Sequence, residues 1–246
     1  MPSDFWGGMN FIIETYWPLL LAGARLTLFV SLIGTIVGCF VGLIVAVLRL
    51  LPVDKNTNLV KKYSLSFMKF ILGFYVEFIR GTPMMVQALF IYYGGRTIGM
   101  QWTAIQASLF IVSLNTGAYA AEIMRGGIIS VDSGQNEGAR AIGMSHFQAM
   151  IYVIIPQALR NSLPSIGNEF IINIKDTSVL NVITLNELFL QARTISGAHY
   201  RSTETYLVVA ILYFVMTYSI SRILKLIENK YDQAPKPIAI GGHEDE

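Results

Sequence analysis

The sequence is poor in charged residues. Lys, Arg, Asp and Glu make up only 14% of its 246 residues, whereas 53% are hydrophobic. A soluble globular domain carries about 25% charged residues, so this chain has too few to cover a water-facing surface. The composition excludes an ordinary soluble domain and favours a membrane protein.

Residues that build catalytic or metal sites are also scarce. Cys39 is the single cysteine, so a disulfide within the chain is excluded, and a small packed side chain is the simplest interpretation. His146, His199 and His243 lack the spacing of metal ligands. The sequence has no nucleophile elbow and no Walker-type phosphate loop. We expect no enzyme activity and no metal or cofactor bound by this chain, so any ATP that is used must bind another chain.

Long apolar runs are present instead. Residues 26–48 form a run of 23 residues without a charge, which at about 1.5 Å per residue can cross a hydrocarbon core of about 30 Å. Runs 102–121 and 205–221 are similar, and 70–95 and 147–174 are apolar but interrupted by charges. The sequence predicts an all-α membrane protein with about five transmembrane helices.

Basic residues predict the orientation of these helices. With the amino terminus outside, eleven of them fall on inner segments and three on outer segments: Arg49, Lys55, Lys61, Lys62, Lys69, Arg125, Arg140, Arg222, Lys225, Lys230 and Lys236, against Arg96, Arg193 and Arg201. Because cytoplasmic loops carry the excess of Lys and Arg, we expect an outside amino terminus and a cytoplasmic carboxyl terminus.

The polar connectors are too short for a separate soluble domain. We therefore predict one transmembrane domain over residues 1–232, followed by a disordered cytoplasmic tail over 233–246. The sequence shows no convincing internal repeat, which counts against secondary transporters built from inverted repeats. Gly34, Gly38 and Gly42 recur every four residues and predict a smooth helix face that packs against another helix, with a pore-lining ridge as the alternative.

A polar stretch, SGQNEGARAIGMSHFQ at 133–148, stands out in this apolar chain. Ser145 and Gln148 have the spacing of a capping box, which predicts a new helix there. Gly143 suits a left-handed residue at the end of the preceding helix. The pattern predicts a short helix of about two turns. Its small side chains favour docking into a protein groove, since an interfacial helix favours lysine and large apolar anchors.

The same stretch resembles the EAA loop of the membrane subunits of ABC importers. The resemblance rests on EGA at 137–139, glycine at 143 and VIIP at 153–156, with Gly138 in place of the usual alanine. FIRGTPMMVQALFIYYG at 78–94 and NEFIINIKDTSV at 168–179 are similar to permeases for polar amino acids. The resemblance begins at GARLTL, residues 23–28, and reaches the last span.

The resemblance implies a type I importer permease (MetI-like) fold in a bacterial cytoplasmic membrane. It implies two permease subunits, identical or paired with a sister permease, an ATPase dimer that binds ATP and Mg²⁺, and an extracytoplasmic amino acid-binding protein. No nucleic acid partner is expected. The residues that correspond to the ATPase-coupling loop, within about 126–146, are Glu137, Gly138, Ala139, Arg140 and Gly143.

Polar residues inside spans indicate where a substrate passes. Glu169, Asn173 and Asp176 follow each other at i, i+4 and i+7, on one face of a helix. Two acids at membrane depth need a cation, and an amino acid brings an ammonium group. We therefore predict a substrate site for a basic or neutral polar amino acid. The alternative is a structural pair with Arg80 or another basic residue; Arg80 also has the spacing to pair with Glu77.

Two other classes of function are open to a chain of this composition. An ion-coupled secondary amino acid transporter would use the same acids for proton or sodium coupling, without an ATPase. A membrane enzyme would need a nucleophile, base or metal cluster. The EAA-like loop counts against the first, and the lack of such a cluster counts against the second.

Overall fold

The computed structural model describes residues 4–51 and 58–232, and every regular element in them is helical. The α-helices are α1 (Phe5–Leu50), α2 (Leu59–Arg80), α3 (Met84–Thr97), α4 (Ala104–Ile129), α5 (Ser133–Ala141), α6 (His146–Ala149), α7 (Ile155–Asp176), α8 (Leu188–His199) and α9 (Ser202–Asp232). A π-helical turn, Met150–Ile154, joins α6 to α7, and a 3-10 segment, Thr177–Ile183, follows α7. The all-α prediction is confirmed; the predicted tail, 233–246, lies outside the described residues.

Three of the described helices are long and apolar enough to cross a membrane: Phe5–Leu50, Ala104–Ile129 and Ser202–Lys230. They contain the three uninterrupted runs of the sequence. α2 and α7 have 22 residues each, about 33 Å, but they carry more polar side chains and do not meet the same criterion. Helix length and hydropathy alone therefore identify three spans among the described residues, and the predicted number of about five stays a prediction.

Helix α1 begins at Phe5, well before the apolar run 26–48 that predicts it. Glu14 and Arg25 interrupt the hydropathy of the first half but do not interrupt the helix. Asp4 caps its start by accepting a hydrogen bond of 3.0 Å from the Gly7 amide. The charge-free run therefore marks only part of a continuous helix of 46 residues.

The interrupted run 70–95 is two helices rather than one span. The chain breaks at Gly81, Thr82 and Pro83, because proline lacks an N–H and disfavours helical geometry in the residue before it. The side-chain nitrogen Nε2 of Gln87 donates to the carbonyl oxygens of Ile79, at 2.8 Å, and Thr82, at 3.0 Å. The break is therefore a bonded turn, which hydropathy does not reveal.

The glycine face of α1 packs against α4, as its spacing predicts. A Cβ atom at Gly38 would lie 2.6 Å from Thr116 Cβ, and one at Gly42 would lie 2.5 Å from Ala120 Cβ. Real Cβ atoms do not approach so closely, so glycine is required for this helix contact. α8 and α9 pack on the first half of α1, around Ile12 and Leu20. α7 packs against α4 and encloses a polar cavity with it.

Candidate functional site

A polar cavity of 570 Å³ lies where the turn between α2 and α3 meets α4 and α7. Its lining residues are Arg80, Gly81, Thr82, Pro83, Met84, Asn115, Tyr119, Glu169, Ile172 and Asp176. Gly81, Thr82 and Pro83 of the bonded turn line it together with residues of α4 and α7. The cavity therefore depends on the break that separates α2 from α3.

Two of the predicted substrate residues, Glu169 and Asp176, line this cavity. Both lie on α7, seven residues apart, so two helical turns bring them to one face. Glu169 is buried and Asp176 is exposed. A buried carboxylate and a more accessible one thus lie along the same wall. Their role in substrate binding stays a prediction.

The third predicted substrate residue, Asn173, is not among the lining residues. Its Nδ2 donates to Thr35 Oγ1 at 2.8 Å and to Thr116 Oγ1 at 2.9 Å. Its backbone carbonyl accepts a hydrogen bond of 3.1 Å from Ser31 Oγ. Asn173 therefore bonds α7 to α1 and α4. Its contact with substrate stays a prediction, and its side-chain Nδ2 already donates hydrogen bonds to two protein hydroxyls.

Arg80 provides the positive charge of the cavity. Its guanidinium carbon lies 5.5 Å from the centre of the Tyr119 ring, within the range of a cation–π contact. Among the described residues, no ion pair within 4 Å includes Glu77, Arg80, Glu169 or Asp176. The predicted pair of Glu77 with Arg80 is therefore wrong. The cavity instead presents one cation and two carboxylates that are not joined to each other.

Sequence reasoning missed Asn115 and Tyr119 as lining residues. Both lie within the apolar run 102–121, which was used only to predict a span. A buried amide in the middle of such a run is a signal, since polar residues in a span are expensive and face the bundle interior. Tyr119 carries no comparable signal, because tyrosine is common in membrane helices for other reasons.

The loop that resembles an EAA loop has the local structure that its sequence predicts. α5 is a helix of nine residues, and Gly143 follows it with a φ of 91°. Ser145 Oγ accepts from the Gln148 amide at 3.2 Å, and Gln148 Oε1 accepts from the Ser145 amide at 2.8 Å. The short helix, the left-handed glycine and the capping box are all confirmed.

The side chains of the loop divide into an outer and an inner set. Glu137, Gly138, Arg140 and Gly143 are exposed, and Ala139 is buried. No protein atom lies within 4 Å of a Cβ built at Gly138 or Gly143, so open space surrounds both. The surface of α5 is therefore accessible to a partner, while Ala139 anchors the helix to its own chain.

Sequence reasoning also missed Ile142, an apolar side chain 77% exposed beside this surface. The interpretation of this stretch rested on its small residues, and Ile142 was not among them. An exposed isoleucine next to a left-handed glycine adds an apolar anchor to the polar loop.

A bundle of long apolar helices with a polar cavity between them is an architecture that membrane transport subunits share. The family of binding-protein-dependent transport system inner membrane components matches residues 59–233. The chain is 34% identical over 232 residues to the glutamine transport system permease protein GlnP of Escherichia coli (strain K12), across 90% of this chain and 98% of that protein. It is 36% identical over 231 residues to the nopaline transport system permease protein NocM of Agrobacterium fabrum, across 89% and 90%.

A solved structure gives the same result. The crystal structure of an amino acid ABC transporter with histidines contains a chain that is 39% identical, with a TM-score of 0.79, covering 94% of this chain and 100% of that one. The chain belongs to the family of binding-protein-dependent transport system inner membrane components, and within it to the amino acid ABC permeases.

Proposed function

We propose that this permease passes a basic or neutral polar amino acid through the cavity between α2, α4 and α7. The observation that carries the proposal is the placement of Glu169 and Asp176 on one wall of a cavity that also contains Arg80. An amino acid carries one ammonium and one carboxylate, so both of its charges find a partner of opposite sign. An anionic side chain would face repulsion from the two acids.

The second acid distinguishes between substrates. When one carboxylate pairs with the α-ammonium, the other is available to a cationic side chain, which favours a basic amino acid. With a neutral polar side chain, the second acid has no cation to pair with. If that acid is Asp176, its exposed position lets water solvate the charge. The Escherichia coli relative transports glutamine, by its name, which is a neutral polar amino acid. Both substrate classes are therefore retained.

The crossings follow from the order of helices. We assign five crossings to α1, the pair α2 and α3, α4, the segment α6 to α7, and α9. Five crossings in this order would put α5 and the end of α9 on one side of the membrane, and the start of α1 on the other. The charge bias of the sequence supports an amino terminus outside and α5 in the cytoplasm. An ion cluster in which Glu122 bonds to both Arg49 and Arg125 joins α1 to α4 at the same end as α5.

The exposed face of α5 supports a role in coupling. We assign ATP and Mg²⁺ to a dimer of partner ATPase subunits that grip α5, through Glu137, Gly138, Arg140 and Gly143, with Ala139 holding the helix in place. A second permease copy, or a sister permease, completes the pathway, and an extracytoplasmic binding protein delivers the amino acid. Closure of the ATPase dimer would then move α5 as a rigid element.

The test uses the assembled transporter in proteoliposomes, with its ATPase subunits and binding protein. Glu169→Gln should lower uptake of radiolabelled L-arginine or L-glutamine at least tenfold, because it removes a buried charge partner in a low-dielectric site. Asp176→Asn should lower it less, because Asp176 is exposed. ATPase activity stimulated by the binding protein should remain largely intact. Glu14→Gln, on an exposed position of α1, is the matched control.

Three outcomes would contradict parts of this proposal. Unchanged uptake in both variants removes the two acids from the pathway. Loss of the assembled complex assigns them a structural role. Uptake that persists without ATP, driven by a proton or sodium gradient, identifies an ion-coupled transporter.

A further inference from the structure

Gln87 has an amide group whose orientation is fixed by its surroundings. Its Nε2 donates to the carbonyl oxygens of Ile79 and Thr82, at 2.8 and 3.0 Å, and to Thr82 Oγ1 at 2.9 Å. Thr82 Oγ1 donates its own proton to the carbonyl oxygen of Phe78 at 2.9 Å, so it can only accept from Gln87. A flipped amide would place an oxygen against three acceptors. The nitrogen of Gln87 must therefore face the turn.

This orientation fixes a second amide. With Nε2 turned toward the break, Gln87 Oε1 points to α4, where it accepts a hydrogen bond of 3.1 Å from Asn115 Nδ2. Asn115 has one nitrogen and one oxygen at its end, so binding the nitrogen to Gln87 leaves Oδ1 for other donors. Among the described residues, no donor is bonded to this oxygen, and Asn115 lines the cavity.

Both amides are nearly enclosed: Gln87 is 6% exposed and Asn115 is 8% exposed. In a low-dielectric interior, an amide in the wrong orientation loses hydrogen bonds that water cannot replace. The hydrogen bonds that Gln87 makes at the turn between α2 and α3 therefore determine the orientation of the Asn115 amide.

We propose that Gln87 is a positioning residue that holds Asn115 with its carbonyl oxygen Oδ1 toward the cavity, as a third acceptor for the ammonium group of the substrate. The inference rests on the proposed function of the cavity. A primary ammonium has three N–H donors. For a neutral amino acid, Glu169 and Asp176 supply the other two acceptors. For a basic one, whose side chain pairs with one carboxylate, the other carboxylate and Asn115 Oδ1 remain for the ammonium. In either case Asn115 adds an acceptor without another negative charge. Arg80 remains for the carboxylate.

The experiment measures ligand affinity rather than uptake, because the binding protein influences uptake. The purified permease–ATPase complex is titrated calorimetrically with L-arginine and with L-glutamine, in the absence of binding protein. Asn115→Leu should raise the Kd about tenfold, as expected for one hydrogen bond to a charged group. Gln87→Met should raise it by about three- to tenfold, because Asn115 is then free to turn its nitrogen into the cavity.

The decisive measurement is the double variant. If Gln87 acts through Asn115, adding Gln87→Met to Asn115→Leu changes the Kd no further. Gln106→Met, at an exposed position on the first turn of α4, is the matched control and should leave the Kd unchanged. The binding stoichiometry reports folding separately, because a purely structural role lowers the active fraction and not the affinity.

Two results would overturn this inference. One is a parental Kd in Gln87→Met; the other is an equal effect of Gln87→Met with and without Asn115→Leu. Glu169→Gln, titrated in parallel, separates this failure from failure of the cavity itself. If Glu169→Gln weakens binding while Gln87→Met does not, only the positioning role is wrong. If neither weakens it, or the parental complex binds neither amino acid, the proposed cavity is wrong. Should Gln87→Met fail to assemble, Gln87→Leu, alone and in the Asn115→Leu background, provides the same comparison.

Discussion

Individual buried carboxylates have different partners in this protein. Glu187 is fully buried but forms bonds on every side: it accepts from the Phe189 and Leu190 amides at 2.8 and 2.7 Å, and from the Tyr213 hydroxyl at 3.0 Å. It caps the start of α8 and bonds it to α9. Glu169, also buried, has no comparable set of donors among the residues that the structure describes. A buried carboxylate that accepts several hydrogen bonds from the protein has a structural role, whereas one that faces a cavity is available to a ligand.

Glu187→Ala should therefore destabilise the protein strongly. It leaves two helix-end amides and a tyrosine hydroxyl without an acceptor, which costs about 2–4 kcal/mol. The melting temperature of the purified complex in detergent measures the loss, and Glu14→Ala is the control at an exposed site. A melting temperature equal to that of the control would show that water replaces the carboxylate.

Residue roles were only partly predictable because helical periodicity has limited angular resolution. At about 100° per residue, Glu169, Asn173 and Asp176 spread over roughly 60° of the helix circumference. Periodicity assigns them to one stripe. Packing decides which of them faces the cavity, and the hydroxyl groups of Thr35 and Thr116 bind Asn173 instead. Those partners are distant in sequence, so no local pattern reveals them.

At the scale of elements, local signals were reliable and hydropathy was less so. The capping box at Ser145 and the left-handed Gly143 depend on neighbouring residues alone, and both are confirmed. The break between α2 and α3 had a local signal in Pro83, but the apolar residues on either side outweighed it in the prediction of a single span. The start of α1 was not predicted, because the predicted span contained only the charge-free residues 26–48, whereas the helix continues through Glu14 and Arg25.

The open surface of α5 gives a specific prediction for coupling. Gly138→Trp and Gly143→Trp should each abolish binding of the ATPase subunits, because a ring fills the space into which a partner docks. Co-purification of the ATPase subunits in detergent measures this. Gly138→Trp is the sharper variant, since its effect does not involve a left-handed residue.

Gly99→Trp is the matched control for Gly143→Trp. Gly99 has a φ of 87° and open space around its Cβ position, so the backbone strain is similar, but it lies between α3 and α4, away from α5. The control should retain the ATPase subunits. Full ATPase binding by Gly138→Trp would show that α5 is not the docking element.

The contact between α1 and α4 gives a prediction of stability. Gly38→Val should prevent assembly or lower the yield of folded protein, because its Cβ would overlap Thr116 and overpacking costs about 1–3 kcal/mol or more. Gly73→Val is the control, since open space surrounds its Cβ position. Size-exclusion chromatography of the solubilised protein distinguishes the two, and equal elution profiles would contradict the close contact.

At the scale of the whole molecule, the structure of the chain does not give its orientation in the membrane. That orientation is predicted from the distribution of basic residues. In a Cys39→Ser background, a cysteine at Gln135, on α5, should be protected from an impermeant thiol reagent in whole cells. One at Ala198, near the end of α8, should react. Both positions are exposed in the structure, so the difference reports the side of the membrane. Labelling in the reverse pattern would invert the proposed topology.

The length of α1 has a mechanical consequence. Its 46 residues extend for about 69 Å, more than twice a hydrocarbon core of about 30 Å, so the helix must project from the bilayer or lean within it. Ile12 and Leu20 fasten one part of it to α8 and α9, and Arg49 fastens the other end to α4. About 44 Å of uninterrupted helix separates Leu20 from Arg49. The close contacts of Gly38 and Gly42 with α4 lie between these two points, so α1 cannot lean without carrying α4 with it.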